Sequence, residues 1–298
     1  MKNILIIGCG LIGSSVLRAI SKNKIAKKVF VYEKSKTNIS KIKKLKLPCE
    51  IIDDLKKIIP NLDLIIFCTP LGEYEKIILK INRYLLPKTI ITDVGSSKEK
   101  SMDLIKRKLK KGIFWTSSHP IAGSEVSGPE NGVKNLFLNK WCILIKEKNT
   151  NRKHLLILTK FWKKIGSNVA IMDSKKHDTV FSMTSHLPHL IAYNLVKTAT
   201  DFEKQQKYEL IKFSAGGLRD FSRIAASNEI MWRDIFFNNQ KNITKVINLF
   251  IKNLLSFKSD IQSKNNKSII KKLVDTKKVR KKIIKLKQDI NKPDFGRN

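Results

Sequence analysis

The stretch that most constrains this chain is residues 3–15, where the apolar run Ile4-Leu5-Ile6-Ile7 breaks into Gly8-Cys9-Gly10-Leu11-Ile12-Gly13 and then into a helix-compatible segment. A strand, a glycine turn and a helix in that order open a dinucleotide-binding βαβ unit. Gly8 permits the tight turn, Gly10 lets a pyrophosphate approach the backbone, and Gly13 lets the helix pack closely on its strand. The helix N-terminus at Leu11 and Ile12 then faces the phosphates. A second apolar strand at 29–32 ends in Glu33, twenty residues beyond Gly13. A carboxylate there accepts hydrogen bonds from the adenosine ribose and repels a 2′-phosphate, so the expected cofactor is NAD over NADP. Lys34 and Lys36 beside it oppose that preference.

Strand-like runs continue at 51–52, 62–67, 89–93, 114–118, 141–145 and 169–172, separated by helical patterns. Residues 62–67 are nearly all apolar toward their end, as in a strand covered by helices on both faces, so the sheet is expected to be mostly parallel. Ligands of such sheets sit beyond the strand C-termini. There the chain places Thr69-Pro70, Gly95-Ser96-Ser97-Lys98 and His119-Pro120, three polar turns converging on one crevice. After about residue 173 only helical periodicity remains. The fold expected is α/β: a Rossmann-type domain over 1–172, followed by an all-helical domain over 173–298. Ile243, Val246, Ile247, Phe250, Ile251, Leu254 and Leu255 form a wide stripe on one long helix, and Ile269, Ile270, Leu273 and Val274 begin another. Such stripes are completed by a second subunit, which predicts a homodimer. Residues 291–298 read as an extended tail.

The 298 residues carry a net charge of +35, which invites a nucleic-acid partner. The lysines are spread over almost every helical pattern without aromatic interleaving, so the charge reads as a solvated surface and no nucleic acid is expected. No apolar run approaches the roughly 20 residues of a membrane span, so no membrane partner is expected either. Cys9, Cys49, Cys68 and Cys142 lack paired or metal-ligand spacing, which suits reduced thiols in a cytoplasm.

His119 ends a strand in the crevice, and Pro120 keeps its backbone extended, so its imidazole is presented as a proton acceptor. With an ordinary pKa near 6.5 it would lose activity by protonation just below neutrality. The loop at 121–128 is small and flexible, with Glu125 as its one charge. His186 and His189 are three residues apart and therefore share a helix face, with Pro188 disturbing the helix between them. No protease motif or cysteine set accompanies them, so no metal is expected and an anion is the better ligand. Around Gly216-Gly217, Arg219 and Arg223 are both candidates for a bidentate grip on a carboxylate.

Together, GCGLIGSS at 8–15, DVGSSK at 93–98, HPIAGSEVSG at 119–128, SHLPHLIA at 185–192 and GGLRDFSRIAASNEIMWRDIF at 216–236 resemble the prephenate/arogenate dehydrogenase family of tyrosine biosynthesis. The closing PDFGR at 293–297 further resembles the cyclohexadienyl dehydrogenases of alphaproteobacteria. The resemblance implies NAD or NADP as hydride acceptor and oxidative decarboxylation of a ring-carboxylated cyclohexadienol. It also implies His119 as the catalytic histidine and Ser96 as the serine bonding the substrate hydroxyl. Arg223 falls at a substrate carboxylate, His189 with His186 at the substrate side chain, Glu125 on the loop that closes the site, and Thr69-Pro70 near the nicotinamide ribose. Space is lacking for a chorismate mutase domain before Gly8 or an ACT domain after Phe257. A β-hydroxyacid dehydrogenase on the same two-domain plan is the rival enzyme, and no lysine stands at a matching motif for it.

Overall fold

A computed structural model describes residues 1–286 and 288. The tail at 291–298 and the motif at 293–297 lie outside the described residues. The chain opens with β1 (Asn3–Ile7), α1 (Leu11–Lys22), β2 (Lys28–Tyr32), α2 (Lys36–Lys44), β3 (Glu50–Ile52) and the short α3 (Leu55–Ile58). It continues through β4 (Leu64–Phe67), α4 (Tyr74–Ile81), β5 (Ile90–Asp93) and α5 (Glu99–Lys108). These strands form one parallel sheet in the order β3-β2-β1-β4-β5. The order reverses between β1 and β4, and the crevice beyond their C-termini is where a ligand binds in such a sheet.

The alternation inside β1 shows why the sheet is covered on both faces. Ile4 and Ile6 join Val16, Leu17 and Ile20 of α1 in one core, while Leu5 and Ile7 join Tyr74, Ile77 and Ile78 of α4 in another. All four residues of β4 are buried. A strand apolar on both faces has only this central, helix-sandwiched position open to it.

Beyond α5 the strands do not extend the first sheet. β6 (Ser118–Pro120), β7 (Trp141–Ile145), α6 (Arg152–Lys164) and β8 (Asn168–Met172) build a second, three-stranded sheet in the order β6-β7-β8. β6 runs antiparallel to β7, pairing His119 with Ile143, and β7 runs parallel to β8. The strand expected at 114–118 therefore begins only at Ser118, and Trp115 makes an isolated bridge to Ile91. Pro120 has no N–H to donate and fits this edge strand.

The remaining elements are helical: α7 (Ser174–Phe181), α8 (Leu187–Gln206), α9 (Gly216–Ala225), α10 (Glu229–Asn238), α11 (Gln240–Gln262) and α12 (Asn266–Lys285). Asp173 caps α7 by accepting the Lys176 N–H at 2.7 Å. Between α7 and α8 the helix widens into a π-turn over Ser182–His186. Pro188 lies in the first turn of α8, where its missing N–H costs nothing. On α11, Ile243 is buried, whereas Ile251, Leu254 and Leu255 are exposed, as are Ile270, Leu273 and Val274 of α12. The single chain leaves this apolar surface uncovered.

Candidate active site

A cleft of about 700 Å³ lies where the α/β and helical parts meet. It is lined by Gly10, Leu11 and Ile12 of the glycine turn, by Thr69 and Pro70 after β4, and by Ser96 after β5. His119 and the loop carrying Glu125 form another wall, and His189, Arg223 and Trp232 complete it from the helical part. The topology thus brings together the three polar turns expected from the sequence and adds three helices to them.

At the dinucleotide end, Gly8 takes φ +88°, a left-handed conformation that favours glycine, and a side chain at Gly13 would collide with the Gly8 carbonyl oxygen. These two glycines act by packing and do not line the cleft. Gly10 is different, because a Cβ there would stand in open space. It is the N-cap of α1 and makes no side-chain cap, so the first N–H groups of the helix are open to an anion. Thr69 lines the same end with its Oγ1 buried and unpartnered. An open cradle, an uncapped helix start and an orphaned hydroxyl together fit a dinucleotide. Glu33 lies behind the turn, where its carboxylate accepts the Cys9 N–H at 2.8 Å and the Ser35 N–H at 2.9 Å. Lys34 points its charge at Glu73, 2.8 Å away, and so opposes the Glu33 preference less than its position in sequence suggests.

At the other end, His119 is almost fully buried, and its Nδ1 is 2.8 Å from His177 Nε2. His177 Nδ1 in turn lies 2.8 Å from Asp178 Oδ1. A carboxylate only accepts, so His177 Nδ1 carries a proton and its Nε2 is left as an acceptor. His119 then donates from Nδ1, which leaves its own Nε2 as the lone-pair nitrogen. Burial, then the nearby His177, Lys98 and His186, push the His119 pKa well below its ordinary value. The expectation of an unperturbed histidine is therefore corrected: this imidazole is held neutral by desolvation and by neighbouring positive charge.

Asp178 does more than hold His177. Its oxygens accept the Lys98 and Glu99 N–H groups, both at 2.9 Å, and the Ser97 hydroxyl at 3.2 Å. The carboxylate that orients the histidines thereby also anchors the turn carrying Ser96. Lys98 is wholly buried beneath that turn, with Nζ 2.6 Å from Asp93 Oδ2 and 2.7 Å from the Ser118 carbonyl oxygen. Tyr74, Gly95 and Ser117 also donate to Asp93. Every charge in this buried cluster is paired and hydrogen-bonded, as burial requires.

On the helical side, Arg223 Nη1 stands 3.5 Å from Glu125 Oε2, while Arg223 Nε is buried without a partner. Arg219 is exposed on α9 and does not line the cleft. His189 donates from Nδ1 to the Ser185 carbonyl at 2.9 Å and stacks on Trp232 with ring centres 3.9 Å apart. His186 does not share that face. The π-turn breaks the three-residue spacing, leaving His186 fully buried behind the cleft with Nδ1 3.1 Å from Asn239 Nδ2. Burial lowers its pKa to about 4. A direct substrate contact for His186 is thus corrected to a place behind the site.

The sequence does not mark His177, Asp178 or Trp232, nor the buried pairing of Lys98 with Asp93. Lys98 and Asp93 stand at the ends of DVGSSK, and His177-Asp178 lie within the helix that Asp173 caps, yet nothing local says that His177 meets a histidine 58 residues away.

Two family models match the chain: the prephenate dehydrogenase nucleotide-binding domain over residues 16–171, and the prephenate dehydrogenase dimerization domain over 173–288. A cyclohexadienyl dehydrogenase from Zymomonas mobilis is 32% identical over 279 residues, covering 94% of this chain and 95% of that protein. A prephenate dehydrogenase from Bacillus subtilis is 29% identical, covering 90% of this chain and 72% of the other. Among solved structures, the prephenate dehydrogenase of A. aeolicus in complex with hydroxyphenyl propionate and NAD+ superposes with a TM-score of 0.88. It is 33% identical, covering 95% of this chain and 98% of that one.

Proposed function

This chain belongs to the prephenate dehydrogenase family, and on that premise we propose which of its residues carry the NAD-dependent oxidative decarboxylation of prephenate or arogenate. The chain is an oxidoreductase of tyrosine biosynthesis, and its products are 4-hydroxyphenylpyruvate or tyrosine. NAD, when bound, accepts the hydride from the ring carbon that bears the hydroxyl. Gly10, Leu11 and Ile12 hold the pyrophosphate, with Gly8 and Gly13 shaping the turn, while Glu33 serves the adenosine ribose and Thr69 and Pro70 the nicotinamide ribose.

The observation that carries the assignment is the hydrogen-bonded line Asp178, His177, His119, which ends in the cleft. His119 takes the hydroxyl proton on Nε2, while its Nδ1–H stays bonded to His177, which Asp178 holds in the accepting tautomer. Ser96, on the turn anchored by the same carboxylate, holds the hydroxyl in line with the imidazole. The ring carboxylate departs as carbon dioxide, and its bonding electrons pass through the ring to the oxygen as the ring becomes aromatic. That oxygen takes its proton back from the His119 imidazolium to give the phenol of the product. Arg223 binds a substrate carboxylate, its unpartnered Nε being the donor such a contact satisfies, and His189, fixed on Trp232, faces the substrate side chain with Nε2. Glu125 contributes from the loop over the site.

The matched dimerization domain and the exposed apolar side chains of α11 and α12 support a homodimer. A division at 172/173 agrees with the break between β8 and α7. Four unpaired cysteines and a soluble dinucleotide co-substrate support a place in the cytoplasm. The direct test monitors NADH absorbance on adding NAD with prephenate or with arogenate. NADH forming with at least one of them supports the reading, and none forming with either rejects it.

A further inference from the structure

We propose that Glu125 is the acceptor for the ammonium group that distinguishes arogenate from prephenate, so that the Glu125–Arg223 pair reads the α-amino acid end of the substrate. The inference rests on the proposed dehydrogenase function and goes beyond it by naming what sets the choice between the two substrates. They differ only in a keto group or an ammonium group on the side chain, next to the side-chain carboxylate. A site that recognises the amino acid form therefore needs an anion and a cation side by side. Glu125 is the single carboxylate lining the cleft among the described residues, and it lies 3.5 Å from Arg223, one of the cleft's cations. That spacing lets a carboxylate meet Arg223 while the ammonium on the adjoining carbon meets Glu125.

Both groups reach the cleft, where they meet each other at the long end of a charged contact. The Arg223 side chain is 40% exposed and that of Glu125 27%, and Arg223 keeps an unpartnered Nε. The carboxyl of Glu125 is held below its ordinary pKa, first by its own backbone N–H and then by Arg223, so it stays anionic. On a protein of net charge +35, the long-range field favours the dianionic keto acid over the amino acid, which carries one positive charge more. A carboxylate inside the cleft is the local feature that offsets this bias.

The test compares kcat/KM for arogenate and prephenate in the wild type, Glu125→Gln and Glu125→Asp. The affinities for tyrosine and 4-hydroxyphenylpyruvate, which differ in the same group, are measured alongside by calorimetry without turnover. Glu125→Gln is expected to shift the arogenate-to-prephenate ratio about tenfold or more toward prephenate, the scale of one lost charge-assisted hydrogen bond. Arogenate turnover falls while prephenate turnover rises, because a carboxylate facing a dianion has been removed. Tyrosine binding weakens relative to the keto acid by a similar factor, and Glu125→Asp keeps most of the wild-type ratio. Equal losses for both substrates and both products would overturn the inference and make Glu125 a residue of loop closure. A wild type that turns over prephenate but not arogenate would also overturn it. No NADH from either substrate would instead reject the underlying function.

Discussion

His119 shows how far an environment can move one side chain from its reference behaviour. Neutral imidazole is the competent form, and burial with His177, Lys98 and His186 nearby lowers its pKa well below 6.5. Activity should therefore persist as pH falls through 6.5 and decline only nearer the lowered pKa, which a profile of kcat against pH will show. An acid limb centred at 6.5 would contradict the buried geometry. Replacing His119 with Asn should lower kcat by about 10²–10⁴-fold, the usual worth of general-base assistance, while NAD affinity measured by fluorescence stays near wild type. Lys98→Met removes a buried cation whose Nζ bonds the carbonyl of Ser118, next to His119, and leaves Asp93 unpaired. Both changes favour imidazolium, so the acid limb should move to higher pH, whereas Lys98→Arg should move it less. Of this cluster, only His119 is legible as chemistry in the sequence. Asp93 and Lys98 read as parts of a motif, and their roles arise from desolvation, which depends on what the rest of the chain buries.

At the scale of elements, the three glycines of the first turn separate binding from folding. Gly10→Ala introduces a methyl group into open space at the start of α1, so the melting temperature should hardly change while the Kd for NAD rises. Gly13→Ala drives a methyl group against the Gly8 carbonyl oxygen, which must push α1 away from β1. It should lower the melting temperature by several degrees, the effect of about 1–3 kcal/mol of overpacking in a small domain. Equal melting temperatures for the two variants would refute this division of labour. The π-turn over Ser182–His186 is the opposite case, since no glycine or spacing announces it. Helical periodicity puts His186 and His189 on one face, but the widened turn sends His186 inward to Asn239 and leaves His189 on Trp232 at the cleft. Pro188 is a visible sign of disturbance in the sequence, but its direction depends on the residues packed beneath.

At the scale of the molecule, α11 and α12 leave Ile251, Leu254, Leu255, Leu273 and Val274 exposed on a chain whose surface is otherwise rich in lysine. An apolar surface of this kind is the mark of an interface. Light scattering at micromolar concentration should give about twice the mass of one chain, and Leu254→Lys with Leu255→Lys should shift the protein toward monomer. A wild-type monomer would remove the homodimer from the proposal.

The sequence alone determined the Rossmann architecture, the order of its parts and the helical character of the C-terminal half. These depend on short-range patterns: two-residue and 3.6-residue apolar periods, and glycines whose backbone freedom is local. It also marked most of the cleft, because ligands of parallel sheets sit beyond strand ends, and Gly10, Thr69, Ser96 and His119 lie there. Only the tertiary structure decided that β6 to β8 form a separate sheet, that Arg223 faces the cleft while Arg219 does not, and that His119 is held by His177 and Asp178. Those outcomes rest on contacts between residues tens of positions apart, such as the 58 separating His119 from His177. The proton affinity of a buried imidazole is set by those contacts, since desolvation and neighbouring charge are properties of the packed chain.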